Sequence, residues 1–357
     1  MSINNEILIC LLSICTSIFN INSGCCYKCN KYTNNEFINQ TVIKITSNSI
    51  TLNGEKLKKL ENEDEMKCVV NEKYIYDTNI YKCNNDLLDN DYKPLIEYSD
   101  GNPYIIALVK VRYTDDIEEK EEFETKSYIL SYFDYRYDFK GLFEGCKLVI
   151  QIKILGSRNI ENMHNMFHGC SALKEIKLSN LNTNKVTNMS NMFYGCSSLK
   201  EINLFNFNTS KVTNMSCMFY KCSSLINLDL PSFNTSKVIN MVSMFSGCSS
   251  LKELNLSTFK TNNVIDMKSM FRRCSSLINL DLSSFNTSKV INMVNMFRGC
   301  SSLFSLNISN FNTKNVIIMN SMFDGCNDLE NININTIDKN IKRLLTIFNK
   351  GVKKVKK

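Results

Sequence analysis

The residues best suited to chemistry include the only two histidines of the chain. His164 and His168 are four residues apart, a spacing that puts two imidazoles on one side of a helical segment, as in many zinc sites. The string H-N-M-F-H lacks the glutamate of a zinc protease motif, and the sequence context supplies no third ligand. We therefore interpret both histidines as polar surface residues and expect neither a metal nor any other cofactor.

The sixteen cysteines are the other reactive residues. Cys25, Cys26 and Cys29 form C-C-x-x-C, but a zinc site needs further cysteine or histidine ligands, and the sequence nearby has none at a suitable spacing. Disulfides from this cluster to Cys68 and Cys83 are the favoured interpretation if the chain is secreted, because disulfides persist in oxidising compartments.

Seven further cysteines recur at a constant interval of 26 residues, at Cys170, Cys196, Cys222, Cys248, Cys274, Cys300 and Cys326. Each opens the same pattern, for example CSSLKELNLSTFKTNNVIDMKSMF from Cys248 to Phe271. A fixed period of this length indicates structural repeats that stack on one another. Because equivalent side chains in such a stack point the same way, their sulfurs do not converge as a disulfide requires, and we predict buried free thiols.

No catalytic constellation accompanies these residues in the sequence. It has no phosphate-binding glycine loop, and no serine or cysteine nucleophile can be paired with a base from sequence context. Methionine pairs such as Met189 and Met192 occur once per repeat at core spacing, so packing explains them better than soft-metal binding. We predict that the protein is not an enzyme, with enzymatic activity in residues 25–138 as the alternative.

Each repeat has the periodicity of a strand followed by a short helical segment. Leu254 and Leu256 alternate with polar residues, which predicts a strand with one face turned inward. Gly247 is placed to end the preceding segment in a left-handed conformation. Apolar residues after the strand come at steps of three, three and one, which predicts one stripe of a helical or 3₁₀ segment, at Val264, Met267, Met270 and Phe271.

The pattern resembles the leucine-rich repeat and, more closely, the 26-residue repeats of BspA-like surface proteins and related mycoplasma and protist families. The hallmark string of those repeats, M-F-x-G-C-S-S-L-x-x-L-x-L-S-x-F-N-T-S-K-V-x-x-M-x-x-M-F, is nearly reproduced from Met296 to Phe323. The resemblance implies a leucine-rich-repeat solenoid and a role in adhesion or host contact.

One departure from the standard leucine-rich repeat concerns its buried asparagine, which forms a hydrogen-bonded ladder along the stack. The equivalent position here carries phenylalanine, at Phe207, Phe233, Phe259, Phe285 and Phe311. Asparagine follows in most repeats, and these asparagines are the candidates to form the ladder instead: Asn208, Asn234, Asn286 and Asn312.

Four regions divide the chain. Residues 1–24 are an apolar leader, residues 25–138 a small β-rich domain, residues 139–350 the repeat array and residues 351–357 a basic tail. We predict an α/β solenoid of about eight turns, whose first and last turns are degenerate, as capping units are. Eight strands at a spacing of about 4.8 Å would give a strand face roughly 34 Å long.

The β-rich region has four strand patterns. Val42–Ile45 and Ile50–Leu52 predict two short strands, and Tyr104–Tyr113 predicts a long one. Phe123–Phe133 is expected to return as the second strand of a hairpin, across a charged turn at Asp115–Glu122.

The leader decides the predicted compartment. Its apolar run Ile7–Ile21 is short for a membrane span and suits a signal peptide, with cleavage near Ser23 and Gly24. The run follows Glu6 and no lysine or arginine precedes it, so lipid attachment at Cys25 and a buried segment of a cytosolic domain stay open as alternatives. We expect a secreted or cell-surface protein, with a cytoplasmic scaffold of the same fold as the alternative, and membrane association through the leader.

The predicted binding surface is the concave face of the solenoid, between the inward leucines. Exposed apolar side chains rimmed by amides and carboxylates suit a protein or host-surface macromolecule, although scattered exposed apolar residues are also common without function. The residues assigned to this face are Phe205, Ile226, Asp229, Asn255, Ile278, Asp281, Phe304 and Asn307. Part of the net charge of +7 lies in the tail, which we interpret as solvated, so we expect no nucleic-acid binding, and we expect a monomer.

Overall fold

The computed structural model describes residues 42–46, 49–52, 55–70, 78–83, 95–98, 104–112, 125–133, 138–326 and 333–346. The expectations for the leader, for Cys25, Cys26 and Cys29, for the turn at residues 115–122 and for the basic tail lie outside the described residues. Cys68, which the sequence offered as a disulfide partner of this cluster, is a free thiol in the helix Glu63–Val69. In chain order the elements are β1 (Val42–Thr46), β2 (Ser49–Leu52), β3 (Glu55–Lys56), α1 (Glu63–Val69), β4 (Thr78–Cys83), β5 (Leu95–Tyr98), β6 (Tyr104–Arg112), β7 (Thr125–Phe133), β8 (Val149–Arg158), β9 (Glu175–Lys177), β10 (Glu201–Asn203), β11 (Asn227–Asp229), β12 (Asn279–Asp281), β13 (Ser305–Asn307), β14 (Asn333–Asn335) and α2 (residues 339–346).

Two β-sheets contain the strands that precede the repeats. The first has the order β3-β2-β1-β5, with antiparallel pairs except for the parallel pair β1–β5, and it contains the two short strands that the sequence predicted. The second has the order β4-β7-β6-β8-β9, in which β6 and β7 form the predicted antiparallel hairpin. Residues 105–109 of β6 are all fully buried, so both faces of this strand are covered.

The second sheet continues directly into the repeats. β8 is the strand of the first repeat, and it pairs antiparallel with β6 and parallel with β9. Helix α1 buries Met66 and Val69 in the same core, and the Cys146 thiol donates a hydrogen bond to the Val69 carbonyl at 3.5 Å. One hydrophobic core therefore runs from Leu60 to Ile341, and the domain boundary after residue 138 stays a prediction.

The repeats stack as parallel strands offset by one period. Ile202 pairs with Leu228 across β10–β11, and Leu280 pairs with Leu306 across β12–β13. The central residue of each short strand from β9 to β13 is buried and its two neighbours face outward, because successive side chains of a strand alternate between faces. The chain from β8 onward is therefore a strand-rich repeat array.

Residues 253–255 form no strand, although the sequence predicted one there. The described strands of the array number seven rather than eight, and its sheet is interrupted between β9 and β10 and between β11 and β12. The stack itself continues across the second interruption, because the Ser250 N–H donates to the Ser223 carbonyl at 3.2 Å and the Ile278 N–H donates to the Lys252 carbonyl at 3.4 Å.

From residue 159 to residue 326 the chain between successive strands of the array is a series of tight turns, so the predicted helical or 3₁₀ conformation is wrong for these repeats. The last repeat differs, because the helix α2 follows β14. Ser269 has a φ of 56°, a left-handed conformation that interrupts a helix. The Met270 N–H bonds within its repeat to Met267 at 3.2 Å, whereas the Phe271 N–H bonds to Met296 of the next repeat at 2.9 Å. A helix would use both groups internally, so the turns provide hydrogen bonds that hold neighbouring repeats together.

A second left-handed residue ends each segment, as the sequence predicted at Gly247. Gly247 has a φ of 81°, and a Cβ added to it would lie only 3.3 Å from the Cα of Lys221 in the preceding repeat. Lys221 and Arg273 occupy the equivalent position in their own repeats with φ values of 57° and 60°.

Columns of identical side chains fill the interior. Phe245 and Phe271 stack with ring centroids 5.7 Å apart, in a stack that continues from Phe143 to Phe323. The cysteine column packs beside this stack, and the Cys274 thiol donates to the Phe245 carbonyl at 3.1 Å. The prediction of buried free thiols is confirmed, and burial raises the pKa of Cys222 to about 12.

Threonine forms the side-chain ladder between repeats, and the predicted asparagine ladder is wrong. The Thr261 hydroxyl donates to the Asn286 carbonyl at 2.9 Å and accepts the Asn286 N–H at 2.8 Å. The Asn286 side chain is exposed, and its Oδ1 accepts the N–H of Ser288 at 3.0 Å. The same exchange recurs at the fully buried threonines Thr209, Thr235 and Thr287.

Asp338 ends the threonine ladder. Its carboxylate accepts hydrogen bonds from the N–H and the hydroxyl of Thr313 at 2.9 Å, and from the N–H groups of Asn340 and Ile341 in α2 at 2.9 and 3.0 Å. Burial alone would raise the pKa of Asp338, but the hydrogen bonds from Ile341, Thr313 and Asn340 outweigh it and lower the pKa below its ordinary value. Neither α1 nor α2, the two helices of the described residues, is long and apolar enough to cross a membrane.

Candidate binding surface

Three of the predicted apolar residues share one column, directly before the strands of their repeats. Ile226, Ile278 and Phe304 expose 39, 46 and 57% of their surface. The Phe304 N–H donates to the Ile278 carbonyl at 2.8 Å, whereas Lys252 separates Ile278 from Ile226. Ile278 and Phe304 are therefore an adjacent exposed apolar pair. The surface that carries them, called the strand face below, comprises residues 174–177, 200–203, 226–229, 252–255, 278–281 and 304–307.

The predicted polar residues of the strand face also brace the turns that follow the strands. Asn255, Asp281 and Asn307 each accept, through Oδ1, the N–H of the residue two positions on, at 3.0, 2.8 and 3.2 Å. Asp229 is exposed at the equivalent position of β11. Phe205 follows β10 and is 66% exposed, and its own N–H is held by a hydrogen bond of the same kind.

Charges of both signs are nearly balanced on the strand face. Lys177 and Glu175 form an ion pair at 3.5 Å. The four lysines and five carboxylates of this face are Lys174, Lys177, Lys200, Lys252, Glu175, Glu201, Asp229, Glu253 and Asp281. Long-range electrostatic attraction therefore favours neither an anionic nor a cationic partner here.

A second exposed apolar column was missed by the sequence interpretation. Ile239, Ile265, Ile291 and Ile317 expose 48, 43, 41 and 78% of their surface. The last three donate their N–H to the carbonyl of the preceding isoleucine, and Ile239 donates to Thr213, in each case at 2.9 Å. We call these four residues the isoleucine stripe. The signal in the sequence was an isoleucine at the 26-residue interval, directly after the single valine position that recurs in each of these repeats.

One family model matches the chain twice. Residues 137–254 and residues 243–356 both match the family described as "Mycoplasma protein of unknown function, DUF285". Together the two matches span residues 137–356, more than half of the 357-residue chain. The chain belongs to this family. No curated protein and no solved structure gives a significant match.

Membership in this family agrees with the repeat architecture, because the two matches follow one another along the array. The description of the family assigns no activity.

The two histidines have protein partners. His168 Nδ1 lies 3.0 Å from Glu144 Oε1, and His164 Nδ1 lies 2.6 Å from the Ser190 hydroxyl. Burial, together with the charge of Lys140, lowers the pKa of His164 below its ordinary value. Nowhere in the described part of the chain do three or more histidine, cysteine, aspartate or glutamate side chains form a cluster suited to a metal ion.

A groove of about 570 Å³ lies where β6 meets the first repeats. Its walls combine three basic side chains with three serines and three aliphatic residues: Arg112, Lys147, Lys174, Ser171, Ser197, Ser198, Leu148, Ile150 and Ala172. The lining among the described residues contains no carboxylate or imidazole that would act as a general base.

Proposed function

We propose that this family member is a non-catalytic binding protein whose repeats form a leucine-rich-repeat solenoid of the BspA-like kind. Parallel strands paired one period apart support the solenoid, as do the buried leucines of the L-x-x-L-x-L pattern, Leu251, Leu254 and Leu256. The near-verbatim hallmark string from Met296 to Phe323 supports the BspA-like part of the proposal.

The strand face is the proposed binding surface, and it contains the residues that the sequence assigned to the concave face except Phe205, which lies two residues beyond the end of β10. The observation that carries this proposal is the adjacent pair Ile278 and Phe304, exposed by 46 and 57% and joined by a backbone hydrogen bond of 2.8 Å. Rigid apolar anchors surrounded by polar groups are typical of the centre of protein interfaces. The proposed partner is a protein or another host-surface macromolecule.

Adhesion or host contact, from a secreted or cell-surface position, is the proposed role. The leader at residues 1–24 and the BspA-like resemblance support it. N-terminal sequencing of the protein purified from its own cells tests the compartment: a mature chain that begins near Cys25 supports export, and an intact leader supports the cytoplasmic scaffold.

Binding by the strand face is tested with the double substitution Ile278→Asp and Phe304→Asp in the full chain. Burying each side chain against a partner contributes about 1.5–3 kcal/mol, and two carboxylates in its place would have to be desolvated, so binding to immobilised matrix proteins should be lost. Circular dichroism of the same samples verifies that the array is folded.

The matched control is Ile265→Asp with Ile291→Asp, because these isoleucines have similar exposure but lie outside the strand face. This control should bind the lipid-free matrix proteins like the parent. A folded Ile278→Asp, Phe304→Asp protein that binds as the parent does would refute the strand-face proposal and direct attention to residues 25–138.

A further inference from the structure

The isoleucine stripe lies on a face of the array that is strongly basic, unlike the strand face. The segments that carry the stripe and its equivalents are residues 184–190, 210–216, 236–242, 262–268, 288–294 and 314–320. They contain six lysines, all exposed, against one carboxylate: Lys185, Lys211, Lys237, Lys268, Lys289 and Lys314, and Asp266. Asp266 is half-buried and is engaged by the Asn292 side chain at 3.1 Å.

Exposed lysine and isoleucine side chains lie next to each other in these segments. Lys289 and Ile291 are both exposed and flank the fully buried Val290, whose N–H closes the turn that contains Lys289 by donating to the Thr287 carbonyl at 3.0 Å. Residues 237–239 repeat this arrangement. The Lys289 ammonium donates to Asn263 Oδ1 of the preceding repeat at 2.7 Å, so the charge lies along the row beside the stripe.

We propose that this face docks on a membrane surface that contains anionic lipids. The isoleucines of successive stacked repeats form a row with a spacing of about 4.8 Å, which gives an aliphatic edge roughly 14 Å long. Aliphatic side chains partition into the boundary between headgroups and acyl chains, while lysines are attracted to anionic headgroups. The combination of both on one face is what a peripheral membrane contact requires.

A second copy of this chain fits the face less well. Two such faces brought together would set lysine rows near lysine rows, and like charges in an interface oppose association. A stripe one side chain wide is also narrower than the patch of roughly 800 Å² per partner that stable protein interfaces bury. A purely polyanionic partner would use the lysines and leave the four isoleucines unexplained.

The test uses the full chain and co-sedimentation with lipid vesicles. Vesicles of phosphatidylcholine alone are compared with vesicles in which about a quarter of the lipid is phosphatidylserine, at several salt concentrations. We expect the partition coefficient to be larger on the anionic vesicles and to fall as salt rises. Binding that the leader contributes is common to every variant and appears on the neutral vesicles as well.

The stripe is tested with Ile265→Ser and Ile291→Ser together, which should lower partition to anionic vesicles by about tenfold or more. The matched control is Ile226→Ser with Ile278→Ser. These strand-face isoleucines are 39 and 46% exposed, against 43 and 41% for the stripe pair. The control pair should leave partition unchanged.

The lysine row is tested independently with Lys237→Gln and Lys289→Gln. Loss of two charges near the membrane should lower partition by roughly tenfold or more at low salt and flatten its salt dependence. Lys200→Gln with Lys252→Gln is the control on the strand face and should change neither quantity.

Three outcomes would overturn the proposal. The parent protein shows no preference for anionic vesicles, or the stripe pair and its control lose binding equally, or the stripe pair abolishes a dimer seen by sedimentation velocity without lipid. The last outcome would assign the stripe to a second copy of the chain. Circular dichroism verifies the fold of each variant, and the lysine pair keeps the test decisive if the serine pair fails to fold.

Discussion

The Thr261 hydroxyl and the backbone of Asn286 exchange two hydrogen bonds across a repeat boundary, at 2.9 and 2.8 Å. Thr261 is fully buried, so water cannot replace either partner. A slip of the stack by one residue would leave the hydroxyl buried and unsatisfied, which is costly. The threonine ladder therefore fixes the register of the repeats as well as adding to their stability.

Replacing Thr261 by valine should lower the free energy of unfolding by about 1–3 kcal/mol, because the Asn286 N–H and carbonyl lose a buried partner. Thr261→Ser keeps the hydroxyl and should recover most of this loss. Thr258→Val, at an exposed position of the same repeat, is the control in urea denaturation. Equal effects at the two threonines would contradict the ladder.

Truncating the inward face of the array should be far more damaging than truncating its outward face. Leu254 is buried at 7% exposure, so Leu254→Ala should cost roughly 2–5 kcal/mol, as other buried leucine truncations do. Lys252→Ala, two residues earlier and exposed, should change the free energy of unfolding very little. Chemical denaturation of both variants compares the two faces directly, and equal losses would mean that the faces are misassigned.

The cysteine column should be unreactive in the folded protein. Burial raises the pKa of Cys222 to about 12, so at pH 8 its thiolate is scarcer by roughly a thousandfold than in an unfolded chain. A thiol reagent should modify this column slowly in the native state and completely in denaturant. Mass spectrometry that finds Cys222 bridged to Cys248 would disprove the free-thiol assignment.

Asp338 should make the stability of the array depend on acid pH. The pKa of Asp338 is lowered in the folded state. Its contribution to the free energy of unfolding is therefore present above the ordinary aspartate pKa of about 4 and is lost as the pH falls through the pKa of the folded state. Asp338→Asn should therefore destabilise the protein at pH 7, and the difference from the parent should shrink below about pH 4. Unfolding midpoints at several pH values provide the measurement, with Asp229→Asn as the exposed control. A stability difference between Asp338→Asn and the parent that does not change with pH would contradict the role of the Asp338 carboxylate.

Much of the array follows from the sequence alone. The 26-residue period is visible when successive repeats are compared. The buried leucine, phenylalanine and cysteine positions and the left-handed conformation at Gly247 are encoded within a single repeat, and the structure confirms them. The hairpin of β6 and β7 was predicted for the same reason, because its pattern lies within one short stretch of chain. The exposed positions of Ile278 and Phe304 also follow from the L-x-x-L-x-L pattern, in which both residues lie between two inward leucines.

Only the tertiary structure decided how the repeats hold one another. The spacing of Met267, Met270 and Phe271 fits a helical stripe, yet Phe271 bonds to Met296 in the next repeat and the segment is a series of turns. Thr261, rather than an asparagine, forms the ladder for a similar reason. A backbone or hydroxyl group in a stack can form its hydrogen bond either with a partner nearby in sequence or with one about 25 residues away. Local periodicity is the same for both choices, so packing of the neighbouring repeat determines the outcome.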